Sequence, residues 1–124
     1  MERTRSLDAA EEGILLEGLE DYIGLWEFTA FVRRSLSTDN EVAIRSTVLA
    51  LATELLERGV MVTGFPTTEG GFEPEKSEPG ETVERIEREW RELGRMPDVG
   101  EIIWFDLTEY GERYAQDLAK SLRQ

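Results

Sequence analysis

Two short apolar stretches, far apart in the chain, set the terms on which it can fold. Val60-Met61-Val62-Thr63 and Ile102-Ile103-Trp104-Phe105-Asp106-Leu107-Thr108 are rich in β-branched and aromatic residues, which suit a pleated, half-buried surface. Read together they form one antiparallel hairpin, split by an insertion over 65–100. The remaining periodic stretches are helical in pattern. The expected fold is mainly α with a small antiparallel β-hairpin (α+β), one domain over 1–124, which fits the length of 124 residues.

The helices are read from apolar spacing. A first one over about 7–20 carries Leu7, Ile14, Leu15 and Leu19, with Gly13 and Gly18 weakening it. From 21 to 36, Tyr22, Leu25, Trp26, Phe28, Ala30, Phe31 and Val32 are too dense for one stripe, which predicts a central helix buried on more than one side. Ser37-Thr38-Asp39-Asn40 is a helix-start cluster, whose short polar side chains can accept from the free amides that follow. The next helix runs to about Arg58 on Ile44, Val48, Leu51, Ala52 and Leu55, and Gly59 ends it. The stretch 65–80, punctuated by Pro66, Gly70, Gly71, Pro74, Pro79 and Gly80, reads as a long loop, mobile or functional. A helix over 81–93 follows, with the stripe Val83, Ile86, Trp90 and Leu93, pairs such as Glu81 with Arg85, and Gly94 to close it. That stripe is expected to dock on the sheet, and Trp26 and Trp90 to be shielded. The last helix has Tyr114, Ala115, Leu118 and Leu122 on its core side.

Composition removes much chemistry. The chain has no cysteine and no histidine, so disulfides, thiolate ligands, cysteine nucleophiles and the commonest general base are all missing. No glycine-rich phosphate loop or Ca²⁺ loop is present, and no catalytic, cofactor or metal residue is assigned. Asp106 lies where an acid can cap the next helix. The longest unbroken apolar run is Val48-Leu49-Ala50-Leu51-Ala52, too short to cross a bilayer. Behind Met1-Glu2-Arg3-Thr4-Arg5-Ser6 no apolar signal core follows, which leads to the expectation of a cytoplasmic protein.

Leu55-Leu56-Glu57-Arg58-Gly59-Val60 and Leu107-Thr108-Glu109-Tyr110-Gly111-Glu112-Arg113-Tyr114-Ala115 resemble a winged-helix regulator of the PadR or MarR kind. The second run is similar to the "LTxxGxxxA" pattern after the wing in those families. The resemblance covers about 21–119 and implies a winged-helix-like domain whose wing carries an inserted helix. Leu107 would close the sheet, Thr108 would cap the last helix, and Gly111 would let that helix approach the sheet. Such a fold serves many functions.

Electrostatics divide the functional readings. There are 27 acidic against 14 basic residues, a net charge of −13, which draws basic partners and repels phosphate backbones. Residues 69–92 hold nine glutamates against Lys76, Arg85, Arg88 and Arg91. One reading is a non-enzymatic module binding a basic protein, of the immunity, antitoxin or inhibitor type, through Glu73, Glu75, Glu78, Glu81, Glu84 and Glu87. The alternative, a DNA-binding winged-helix regulator, would use Arg33, Arg34, Arg45 and Arg58 if they converge on one face. No cofactor and no membrane contact is expected. Monomer and homodimer are both open.

Overall fold

The structure, a computed structural model, describes residues 5–123, and their side chains from Asp8 onward. Among these the chain runs α1 (Arg5–Gly18), β1 (Ile23–Gly24), α2 (Leu25–Leu36), α3 (Glu41–Glu57), β2 (Met61–Pro66), β3 (Phe72–Pro74), α4 (Pro79–Leu93), β4 (Trp104–Leu107) and α5 (Glu109–Leu122). The molecule is mainly helical, with one antiparallel sheet in the order β1-β4-β2-β3. Leu7 falls within α1, but its side chain lies outside the described set.

The split hairpin forms as expected. Met61 faces Leu107 and Thr63 faces Phe105 across the β2–β4 ladder. Four expectations about the elements and their packing need correction. The helix expected over 21–36 begins only at Leu25, because Ile23 and Gly24 pair with Phe105 and Trp104 of β4. The second strand begins at Trp104 rather than Ile102. Ile102 has φ +72°, and the Ile103 amide donates to the Glu101 carbonyl at 2.9 Å, closing a γ-turn that β-branched residues rarely adopt. The stretch 65–80 is not one loop. β2 continues to Pro66 and β3 returns beside it, with Gly64 opposite Pro74 and Pro66 opposite Phe72. A Cβ on Gly64 would overlap the Glu73 carbonyl oxygen, so this return requires glycine there. Finally, α4 packs chiefly on α3 rather than on the sheet.

Local chemistry explains the helix ends. Ser37 closes α2 in the left-handed conformation, and the Asn40 side chain caps α3 by accepting from the Ala43 amide at 2.9 Å. Pro79 occupies the first turn of α4, where a missing amide costs nothing, and Gly94 ends it with φ +72°. Thr108 caps α5 by accepting from the Gly111 amide at 2.9 Å, and donates to the Gly59 carbonyl at 2.6 Å. Gly111 is buried, and a Cβ there would overlap the Val60 carbonyl oxygen. The end of α3, the start of β2 and the start of α5 are thus held at one point.

One buried cluster draws on every helix, with Ile14, Leu15, Phe28, Ile44, Leu51, Ile86, Trp90 and Ala115 among its members. Phe28 meets Phe105 of the sheet at 4.4 Å between ring centroids. Trp90 is 2 % exposed, as its place on the stripe predicts. Trp26 is only half-buried, against expectation. It lies at the edge of the sheet, where its ring meets Trp104 edge-on at 4.9 Å.

Candidate functional site

The glutamates expected to bind a partner do not act as one set. Glu73, Glu78, Glu81 and Glu84 are exposed. Glu75 is turned inward, with its carboxylate 2.7 Å from Arg85, and Glu87 pairs with Arg91 at 3.4 Å. Arg85 reaches on to Glu89 at 3.5 Å and not to the expected Glu81. Two of the six carboxylates are therefore engaged within the insertion, Glu75 tying the segment after β3 to α4 and Glu87 pairing within α4.

A more concentrated acidic feature lies elsewhere. The turn after α1, the tip of the β2–β3 hairpin, the end of β4 and the first turn of α5 enclose a hollow of about 370 Å³. Glu20, Asp21, Asp106 and Glu112 line it, with Gly70, Leu107 and Tyr22 between them and no lysine or arginine. None of the four carboxylates forms an ion pair among the described residues. The Tyr22 hydroxyl donates to the Gly70 carbonyl at 3.2 Å, and its ring lies 5.0 Å from that of Phe72, which ties the hairpin to the α1–β1 turn.

Asp106 is not the helix cap, since Thr108 takes that role. Burial pushes the Asp106 carboxyl up from its ordinary value, the Leu107 amide opposes the shift, and Glu112 adds to it. Among the described residues no three acidic side chains come close enough to hold a metal ion. The approach of a cation, such as a lysine or arginine side chain, would favour the charged form of Asp106 and oppose that shift.

The four arginines of the DNA-binding alternative are dispersed. Arg33 pairs with Asp39 at 3.5 Å, and Arg34 lies 5.8 Å over the Phe31 ring. Arg58 is held by Glu11 at 2.8 Å and Glu54 at 3.3 Å, and it covers the Tyr114 ring at 5.2 Å. Arg45 lies at the other end of α3, about 20 Å away by helical rise, and lines a hollow beside the end of α4. The solvent-facing stripe of α3 is Val42, Ser46, Ala50 and Glu57, with no cation to offer a phosphate.

In the sequence Asp106 reads as an acid placed to cap the next helix, not as part of an acidic hollow. Glu20-Asp21 is visible as an acid pair, but nothing in the sequence brings it together with Asp106 and Glu112, because the hollow is made from four separate chain segments. No helix among the described residues is long and apolar enough to cross a membrane. No protein family, curated protein or solved structure matches this chain.

Proposed function

We propose that this protein is a non-catalytic, winged-helix-like module that captures a basic protein surface, in the manner of an immunity, antitoxin or inhibitor protein. The observation that carries this is the concave acidic site at Glu20, Asp21, Asp106 and Glu112, four unpaired carboxylates without a cation among them. The net charge of −13 would steer a basic partner toward it. The exposed Glu73, Glu78, Glu81 and Glu84 extend the acidic surface. A helix pair followed by a split hairpin, together with the capping role of Thr108 and the close approach at Gly111, supports the winged-helix-like reading. The DNA-binding alternative has less support, since a recognition helix must reach the groove with basic residues, and α3 is covered on one side by α4 and lacks cations on its open stripe.

A labelled octalysine peptide, followed by fluorescence anisotropy, tests the assignment. Asp106→Asn with Glu112→Gln removes two charges from the hollow, and Glu81→Gln with Glu84→Gln removes two from the outer helix face. The first pair should weaken binding about tenfold, as roughly 1.4 kcal/mol implies, and the second by much less. Equal losses from both pairs would mean that only net charge matters and would sink the site. Tight binding of random duplex DNA at physiological salt would favour the regulator reading.

A further inference from the structure

The hollow beside Arg45 has a composition unlike the rest of this acidic molecule. It lies between the first turns of α3 and the end of α4, and encloses about 290 Å³. Arg45, Arg91 and Arg95 line it, Trp90 and Met96 contribute apolar surface, and Glu41 is its single carboxylate. Three of the chain's 14 basic residues thus converge on one small concavity.

Arg45 is the unusual member. It is half-buried, yet it has no ion-pair partner among the described residues. Glu41 sits four residues before it, the spacing and order that favour a pair on a helix. Elsewhere that spacing is used, for Arg58 with Glu54, Arg91 with Glu87 and Arg113 with Glu109. Arg45 instead forms part of the wall of the hollow. The other two guanidiniums are only partly engaged. Arg91 holds Glu87 loosely at 3.4 Å and is largely exposed. Arg95 grips Glu101 through two bonds of 2.7 and 2.8 Å and the Met96 carbonyl at 3.1 Å, and a guanidinium has five donors to give.

The two helix ends at the hollow are of opposite sign. The carbonyls of Trp90 and Arg91, at the negative end of α4, both accept from the Gly94 amide. The first turn of α3 brings the positive end of a helix to the opposite wall.

We propose that this hollow is a binding site for a phosphate monoester group, with Arg45 as its principal contact and Arg91 and Arg95 as flanking ones. A carboxylate would be served by one guanidinium, and the carboxylate already present, Glu41, is not taken up by Arg45. A phosphate monoester brings nearly two charges and three strong acceptor oxygens, which several guanidinium forks can share. The site is independent of the acidic hollow and of the function proposed for it.

The test is a titration of the full chain with inorganic phosphate, read by the NMR shifts of the Trp90 indole and of the Arg45, Arg91 and Arg95 side-chain N–H groups. Sodium chloride at matched ionic strength is the control. A saturable shift of these groups with phosphate and none with chloride is expected. Arg45→Gln should weaken binding about tenfold, and Glu41→Gln should tighten it a few-fold. A saturating titration with phenyl phosphate that perturbs the same groups would extend the result to esters. Absence of a saturable phosphate shift, an equal response to chloride, or binding unchanged in both variants would each overturn the proposal. If Arg45→Gln does not fold, the direction of the Glu41→Gln change decides.

Discussion

The acidic hollow of about 370 Å³ and the arginine-lined hollow of about 290 Å³ are close in size and differ in the charges that line them. The first holds four carboxylates and no cation, and the second three arginines and one carboxylate. Both are assembled from segments distant in sequence, and both depend on a helix end for part of the wall. They differ in what supports them. The arginine hollow rests on Trp90, a core residue, whereas the acidic hollow lies among turns and the hairpin tip, with Tyr22 and Phe72 as its main brace. A net charge of −13 describes neither. Charge summed over a chain sets long-range steering, while recognition depends on which charges the fold leaves unpaired in a concave place.

That contrast can be broken most severely at Trp90. Trp90→Ala should cost about 3–5 kcal/mol, a large part of the stability of an ordinary domain, and should be seen as a sharply lowered urea midpoint. Trp26→Ala, at the edge of the sheet, should cost clearly less. Equal losses would show that the two ends of the molecule are packed alike.

The acidic hollow can be displaced through Gly111, which seats the first turn of α5 and so places Glu112. Gly111→Ala should cost about 3 kcal/mol, because the added methyl meets backbone and not a flexible side chain. Octalysine affinity should fall with it while the Trp90 indole shift with phosphate persists at temperatures where the variant is folded. Loss of both responses together would mean that the hollows are not independent.

Arg58 serves as the neutral comparison. Its partner Glu11 is 7 % exposed, so Arg58→Ala takes one charged partner from a largely buried carboxylate and removes cover from Tyr114. We expect a loss of about 2 kcal/mol by thermal unfolding, with octalysine and phosphate binding both unchanged at temperatures where the variant is folded. Weakened phosphate binding in this variant would argue that the arginines act as one field.

The smallest effect concerns pH. Burial raises the folded-state values of Asp106 and Glu27. Between their ordinary values and these raised ones, the folded state binds more protons than the unfolded state, so stability falls as pH rises. Glu101 has the opposite sign. The Arg95 guanidinium holds it at about 2, below its ordinary 4.5, so its contribution is present above about 4.5 and lost as pH falls toward 2. The melting temperature should therefore rise slightly as pH falls toward the ordinary carboxylate range and drop on further acidification. Asp106→Asn should flatten part of the rise on the acidic-hollow side. An unchanged profile in that variant would mean that Asp106 is as well solvated folded as unfolded.

What the sequence by itself determined is local. The helix starts at Asn40 and Thr108, the stops at Gly59 and Gly94, the close approach at Gly111 and the buried stripe at Ile86 and Trp90 were all legible. All but Gly111, which came from the winged-helix resemblance and meets Val60 across the fold, rest on hydrogen bonds or periodicity within a turn or two of chain. The two edge strands were not legible. Ile23 continues the apolar pattern of a helix, and Phe72–Pro74 sits among loop residues, so only a paired neighbour makes either a strand. The candidate sites were decided by the tertiary structure for the same reason. Arg45 and Arg58 are alike in sequence terms, but folding sets Glu11, 47 residues away, against one and opens a hollow before the other. Pairing of charges is a property of distance in space, and distance in space between remote segments is what periodicity cannot encode.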